Sequence, residues 1–131
     1  MADTHTTTGM AAQISDGIVR LHKEFYGKGP NQAKTYLVND TVVCMLRGGF
    51  TTVERTLIDD GKSEDVERIR RSFQTTMRGA FIHVVEDAMT RKVVAYMSQV
   101  HTDPDLAVEL FVLEPHDEPI VEEHELATID A

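Results

Sequence analysis

The sequence predicts an α+β fold: an antiparallel four-stranded sheet of two hairpins, with helices packed on one face, in the order α-ββ-αα-ββ. Three observations carry this. Apolar residues recur at steps of three and four over residues 10–25 and again over 63–90, the period of an amphipathic helix. Two pairs of short β-prone runs, at 34–47 and 93–113, each enclose turn residues. Gly27, Pro30, Gly48, Gly49 and Gly61 punctuate the junctions. At 131 residues with 41% hydrophobic and 27% charged side chains, the chain fits one globular domain. That domain is expected at 9–115, between a disordered start at 1–8 and an acidic, mobile tail at 116–131.

In the first helix Met10, Ile14, Ile18, Leu21 and Phe25 form the apolar stripe, while Gln13, Asp16, Arg20 and Lys23 face away. Gly27 is a left-handed cap and Pro30 prevents the helix from resuming. Lys34–Val38 and Thr41–Arg47 pair around Asn39-Asp40, which tolerate the positive φ of a two-residue hairpin turn. Thr51-x-x-Glu54 is a capping box for a short helix that Gly61 closes. The long helix from Ser63 to Thr90 presents Val66, Ile69, Phe73, Met77, Ala80, Val84 and Ala88 as the spine of the core, with Arg68, Arg71, Arg78 and Glu86 outside. Gly79, costly in mid-helix, predicts a close approach there. Val93–His101 and Leu106–Leu113 make the second hairpin, with Val108, Leu110 and Val112 expected on the core face. If helices cover one face only, Tyr36, Met45, Met97, Phe111 and Leu113 leave an apolar strip on the other, which predicts a homodimer through the sheet.

The net charge of −9 is unevenly spread. Residues 114–131 hold seven acids and no Lys or Arg, so the body carries 13 basic against 15 acidic residues and is nearly neutral. Broad affinity for nucleic acid or anionic lipid is not expected of such a chain. No run approaches a membrane span and the first residues lack a secretory pattern, which predicts a cytoplasmic protein. Cys44, the lone cysteine, lies in an apolar run and reads as a small buried hydrophobe.

Four groups offer chemistry. Lys28, between Gly27 and Gly29, reads either as a helix cap and turn or as an anion loop; its order, helix then strand, does not fit a Walker loop. Arg47-Gly48-Gly49-Phe50-Thr51-Thr52 reads either as a strand exit with an N-cap or as a small-anion site at a helix N-terminus. His101, Asp103 and Asp105 alternate as metal ligands do, yet a turn explains them and no fourth ligand is near in sequence; no metal or other cofactor is expected. Arg68, Arg70, Arg71, Arg78, Arg91 and Lys92 form a basic side of the long helix, open to RNA, phosphate or an acidic partner, but with no aromatic residues interleaved for base stacking. No Ser-His-Asp or Cys-His order is present, so catalysis is not the leading expectation.

Five strings taken together carry a resemblance: FYGKGP at 25–30, RGGFTTVERTL at 47–57, FQTTMR at 73–78, HTDPD at 101–105 and LFVLEP at 110–115. In order and spacing the chain resembles the MpsC-like family, small bacterial and archaeal proteins named after a sodium-translocating, membrane-potential-generating system. The similarity runs from about Ile14 to Pro115. The resemblance implies an accessory or regulatory component of a cation and inorganic-carbon uptake system whose transporting parts are separate membrane proteins, and it brings no catalytic residue. The expected function is therefore a non-enzymatic regulator sensing bicarbonate or phosphate through Lys28, Gly29, Arg47, Gly48, Thr51, Thr52 and Arg78. The alternatives are an RNA- or ribosome-associated protein using the arginine side, and a small enzyme on an anionic metabolite, which requires Lys28, Arg47 or Arg78 to share one pocket.

Overall fold

The computed structural model describes residues Ala2 to Pro115, with side chains from Gly9 onward. The expected mobile tail, 116–131, lies outside the described residues, as does Met1 of the expected disordered start. The elements are α1 (Ala2–Tyr26), β1 (Gln32–Val38), β2 (Thr41–Arg47), α2 (Thr52–Asp59), α3 (Ser63–Met89), β3 (Val93–His101) and β4 (Leu106–Leu113). The sheet is antiparallel throughout, in the order β1-β2-β4-β3, so the hairpins meet at a central β2–β4 seam. This is the expected α+β arrangement.

Local chemistry explains the joints. Gly27 ends α1 at φ +79°, and Asn39 turns the first hairpin at φ +53°. Thr51 and Glu54 complete both halves of the capping box on α2, and Gly61 follows at φ +77°. Gly17 rather than Gly79 is the tight contact: a Cβ on Gly17 would lie 2.6 Å from Val84 Cγ1, whereas one on Gly79 meets nothing within 4 Å. The close approach is thus between α1 and α3.

The register puts three rows on the face toward the helices: Ala33–Leu46–Ala107–Val100, Thr35–Cys44–Glu109–Ser98, and Leu37–Val42–Phe111–Tyr96. Ile14, Ile18, Met77, Phe81, Val85 and Met89 close over them. Cys44 is fully buried, and burial pushes its thiol up to about 11, as an inert hydrophobe requires. Two expectations about facing are corrected. In β4 it is Glu109, Phe111 and Leu113 that are buried, at 0%, 0% and 1% exposure, and not Val108, Leu110 and Val112. Glu109 hides the correct phase, because a carboxylate in the middle of a strand argues for the solvent side. In α3 the buried line is Val66, Arg70, Gln74, Met77, Phe81, Val85 and Ala88, and Ile69 is 50% exposed. Two polar residues occupy the first half of the true stripe, so an apolar count slides off it. Phe25 is likewise exposed, and His22 takes its place on the buried side of α1.

Candidate functional site

Arg70 organises the end of the molecule where α1, α2 and the strand loops meet. Its Nε and Nη2 each donate at 2.6 Å to the two oxygens of Glu54, a bidentate fork, and Nη2 also donates to the Gly49 carbonyl at 2.9 Å. The guanidinium lies 3.8 Å from the Tyr26 ring centroid and 5.1 Å from that of Phe50. Glu54 receives Thr51 N–H at 2.8 Å as well. Burial alone would raise the Glu54 pKa, but the Arg70 fork and the Thr51 donors outweigh it and hold the carboxyl below its ordinary value. His22 sits alongside, stacked on Phe81 at 5.3 Å, and burial lowers its pKa and favours the neutral ring. The cavity here is about 10 Å³, room for about one water.

The neighbouring loop has the geometry expected of an anion nest, and the chain fills it itself. Asp105 accepts from the backbone N–H of Gly49 at 3.2 Å and of Phe50 at 3.1 Å. Lys28 Nζ donates to the Gly48 carbonyl at 2.6 Å and to that of Gly29 at 3.2 Å. Gly48 itself is at φ +71°, and a Cβ there would sit 2.4 Å from Asn31 Nδ2. Asp105→Ala is expected to leave two amides without their carboxylate and to lower stability by about 1–3 kcal/mol in urea unfolding.

The sequence candidates therefore separate. Lys28, Gly29, Gly48 and Thr51 gather at this loop, and Thr52 begins α2 beside them. Arg47 is exposed at the end of β2 on the sheet face away from the helices. His101 is exposed with Nδ1 3.0 Å from the Pro104 carbonyl, and Asp103 is exposed too. Among the described residues no three His, Cys, Asp or Glu side chains cluster as metal ligands. The basic side of α3 is also divided: Arg70 is buried, Arg68 pairs with Asp65, and Arg91 pairs with Asp40 at 2.5 Å. Arg71 and Arg78 have no carboxylate within ion-pair distance among the described residues.

These two arginines, two turns apart on α3, line a groove between that helix and edge strand β3. A cavity of about 200 Å³ is lined by Arg71, Gln74, Thr75, Arg78, Tyr96 and Ser98, and an adjoining one of about 100 Å³ adds Glu67, Gln99 and Val100. The Arg78 guanidinium lies 5.7 Å from the Tyr96 ring centroid. Behind this floor the Tyr96 hydroxyl donates to Glu109 Oε1 at 2.5 Å, and Glu109 Oε2 is buried without a partner among the described atoms. Burial pushes the Glu109 carboxyl up to about 7, although Tyr96, Ser98 and Arg70 all favour its charged form. Burial followed by the Glu109 charge raises the Tyr96 phenol in turn. A cleft with unpaired cations and a perturbed acid behind its floor is what a ligand site looks like in physical terms. Sequence reading named Arg78 but missed Gln74, Tyr96, Ser98 and Glu109. Position 74 shares the 3.6-residue period of Val66, Met77 and Phe81, but no local signal marked Tyr96, Ser98 or Glu109.

The fold and groove define a small single-sheet α+β protein in which, among the described residues, no helix is long and apolar enough to cross a membrane. Residues 6–115 match the family described as "Na+-translocating membrane potential-generating system (MpsC)", and the chain belongs to that family. It is also similar to a Bacillus subtilis (strain 168) protein named "Uncharacterized protein YrhF", at 26% identity over 104 residues, covering 78% of this chain and 85% of that one. No solved structure matches it.

Proposed function

We propose that this chain is a non-spanning accessory or regulatory component of a cation-translocating system, and that the groove between α3 and β3 takes a small oxyanion, bicarbonate or phosphate. One observation carries the ligand class: Arg71 and Arg78 face a polar floor of Gln74, Thr75 and Ser98 in a cavity of about 200 Å³, with no carboxylate within ion-pair distance of either among the described residues. A guanidinium fork suits planar or tetrahedral oxyanions, and the Gln74 amide and the Ser98 hydroxyl, which has no partner among the described atoms, supply further donors, whereas the Thr75 hydroxyl is spent on the Arg71 carbonyl. Glu67, at the far end of the adjoining cavity, directs the anion toward the Arg78 end. The family's association with a sodium-translocating system supports the accessory role.

Titration of the full chain with bicarbonate and with phosphate, followed by amide chemical shifts, tests the site. Gln74, Ser98 and Gln99 are expected to move. Arg78→Gln and Arg71→Gln are each expected to weaken binding by about tenfold or more, the worth of a charge-assisted hydrogen bond. Lys28→Gln and Arg47→Gln are expected to leave it unchanged. Groove signals that stay still with both anions would remove the ligand half of the proposal.

A further inference from the structure

The face of the sheet turned away from the helices carries an ordered apolar surface. The register lays four rows across it: Gln32–Arg47–Leu106–His101, Lys34–Met45–Val108–Gln99, Tyr36–Val43–Leu110–Met97 and Val38–Thr41–Val112–Ala95. The third row crosses all four strands without a charge. Tyr36 and Met97 at its ends are 45% and 55% exposed, and Val94, at the β3 bulge, is 56% exposed. Water is a poor neighbour for such a row. None of the described helices reaches this face; α1 and α3 pack on the other.

We propose that a second copy of this chain covers this face. Two arguments on the molecule itself select that occupant. The first is charge placement. The face holds no Asp or Glu, and its basic groups, Arg47, His101 and Lys34, all lie in the first two rows, at one end. A two-fold axis lying along the Tyr36–Met97 row turns the partner end for end. It sets the apolar third row upon itself and carries the two basic ends to opposite extremes. An axis along the strands would stack basic end on basic end, which like charges oppose. The second is area. Four strands spaced ~4.8 Å apart and seven to nine residues long give a face of roughly 19 by 25 Å, of which an axis along the third row overlaps roughly 20 Å, from the second row to the fourth, or roughly 550 Å² per copy with side-chain relief. The pair then buries roughly 1,100 Å² in total, above the ~1,000 Å² that a specific interface needs. Sheets packed this way sit ~10 Å apart with interdigitated side chains, so Val43 and Leu110 at the centre lose their remaining water, while Lys34 Nζ, 5.5 Å from the Tyr36 ring centroid, lies at the edge-strand rim of the row.

Sedimentation equilibrium of the full chain at tens of micromolar is expected to give twice the 14.7 kDa of one chain. Met97→Lys and Tyr36→Lys, at exposed positions that the fold does not need, are expected to return it to a single chain with unchanged far-ultraviolet circular dichroism. A single-chain mass for the unaltered protein overturns the proposal, and so does a dimer that survives both substitutions. In a mixed-label dimer, isotope-filtered contacts between the Met97 methyl and the partner's Met97 methyl support the axis along the row. Contacts from Met97 to the partner's Tyr36 ring instead would overturn that axis.

Discussion

Arg70→Ala is expected to cost about 3–5 kcal/mol of folding stability, because it strands the Glu54 carboxylate in an interior built around its partner. Neither side chain of the pair is more than 7% exposed, so water does not replace the fork. The same change removes the donor to the Gly49 carbonyl and the cation between the Tyr26 and Phe50 rings. In a domain of this size that is a fall in melting temperature of roughly 10–20 °C. The comparison with Arg70→Leu/Glu54→Leu separates two accounts. If the damage comes from the orphaned charge, the double variant loses much less than the two single variants combined, and a cycle of urea unfolding curves reads the difference. Arg70→Lys is expected to recover little, since an ammonium cannot make the two-oxygen fork and reach Gly49 as well. A loss below about 1 kcal/mol for Arg70→Ala would mean that water enters the junction.

Glu109→Gln is expected to leave stability unchanged below about pH 4.5 and to stabilise the protein increasingly as pH rises from there through about 7. The sign follows from the folded carboxyl, raised from 4.5 to about 7 by burial. Between those values the native state holds a proton that the unfolded chain releases, so the contribution is fully present below about 4.5 and is lost as pH rises through about 7. At pH 8 the native state carries the full cost of a buried charge, on the order of 3 kcal/mol from the size of the shift. Glutamine keeps the shape and an acceptor for the Tyr96 hydroxyl without that charge. Glu54 works in a different window and with the opposite sign: its lowered pKa contributes stability above the ordinary carboxylate value, which is lost only as pH falls through the folded value. Melting curves of the wild type and Glu109→Gln that stay parallel from pH 5 to 8 would contradict the buried-carboxylate reading.

The architecture was legible wherever sequence chemistry acts locally. The Thr51/Glu54 capping box, the Gly27 and Gly61 stops, the Asn39 turn and the order of helices and hairpins all follow from groups a few residues apart. The phase of α3 and β4 was not legible. Arg70, Gln74 and Glu109 stand at buried positions; the partners of Arg70 and Glu109 are Glu54, the Gly49 carbonyl and Tyr96, distant in sequence, and Gln74 lines the groove. The anion reading suffered the same way. The glycine-rich loop does gather amides, but Asp105, more than fifty residues on, already occupies two of them. Arg78 stood out because it belongs to the FQTTMR string that carries part of the family resemblance; Arg71, its groove partner, was one arginine among several until pairing removed Arg68, Arg70 and Arg91.

The strand order β1-β2-β4-β3 has a kinetic consequence. Each hairpin, with the helix that precedes it on the sheet, closes through contacts near in sequence, whereas the β2–β4 seam brings Cys44 to Glu109 across more than sixty intervening residues. The chain thus reads as two helix-plus-hairpin halves joined through α2. Loop closure across that seam carries the largest entropic cost in the topology, so the meeting of the halves, and not the making of either, sets the folding rate. Glu109, at mid-seam, gives up its water when the halves meet.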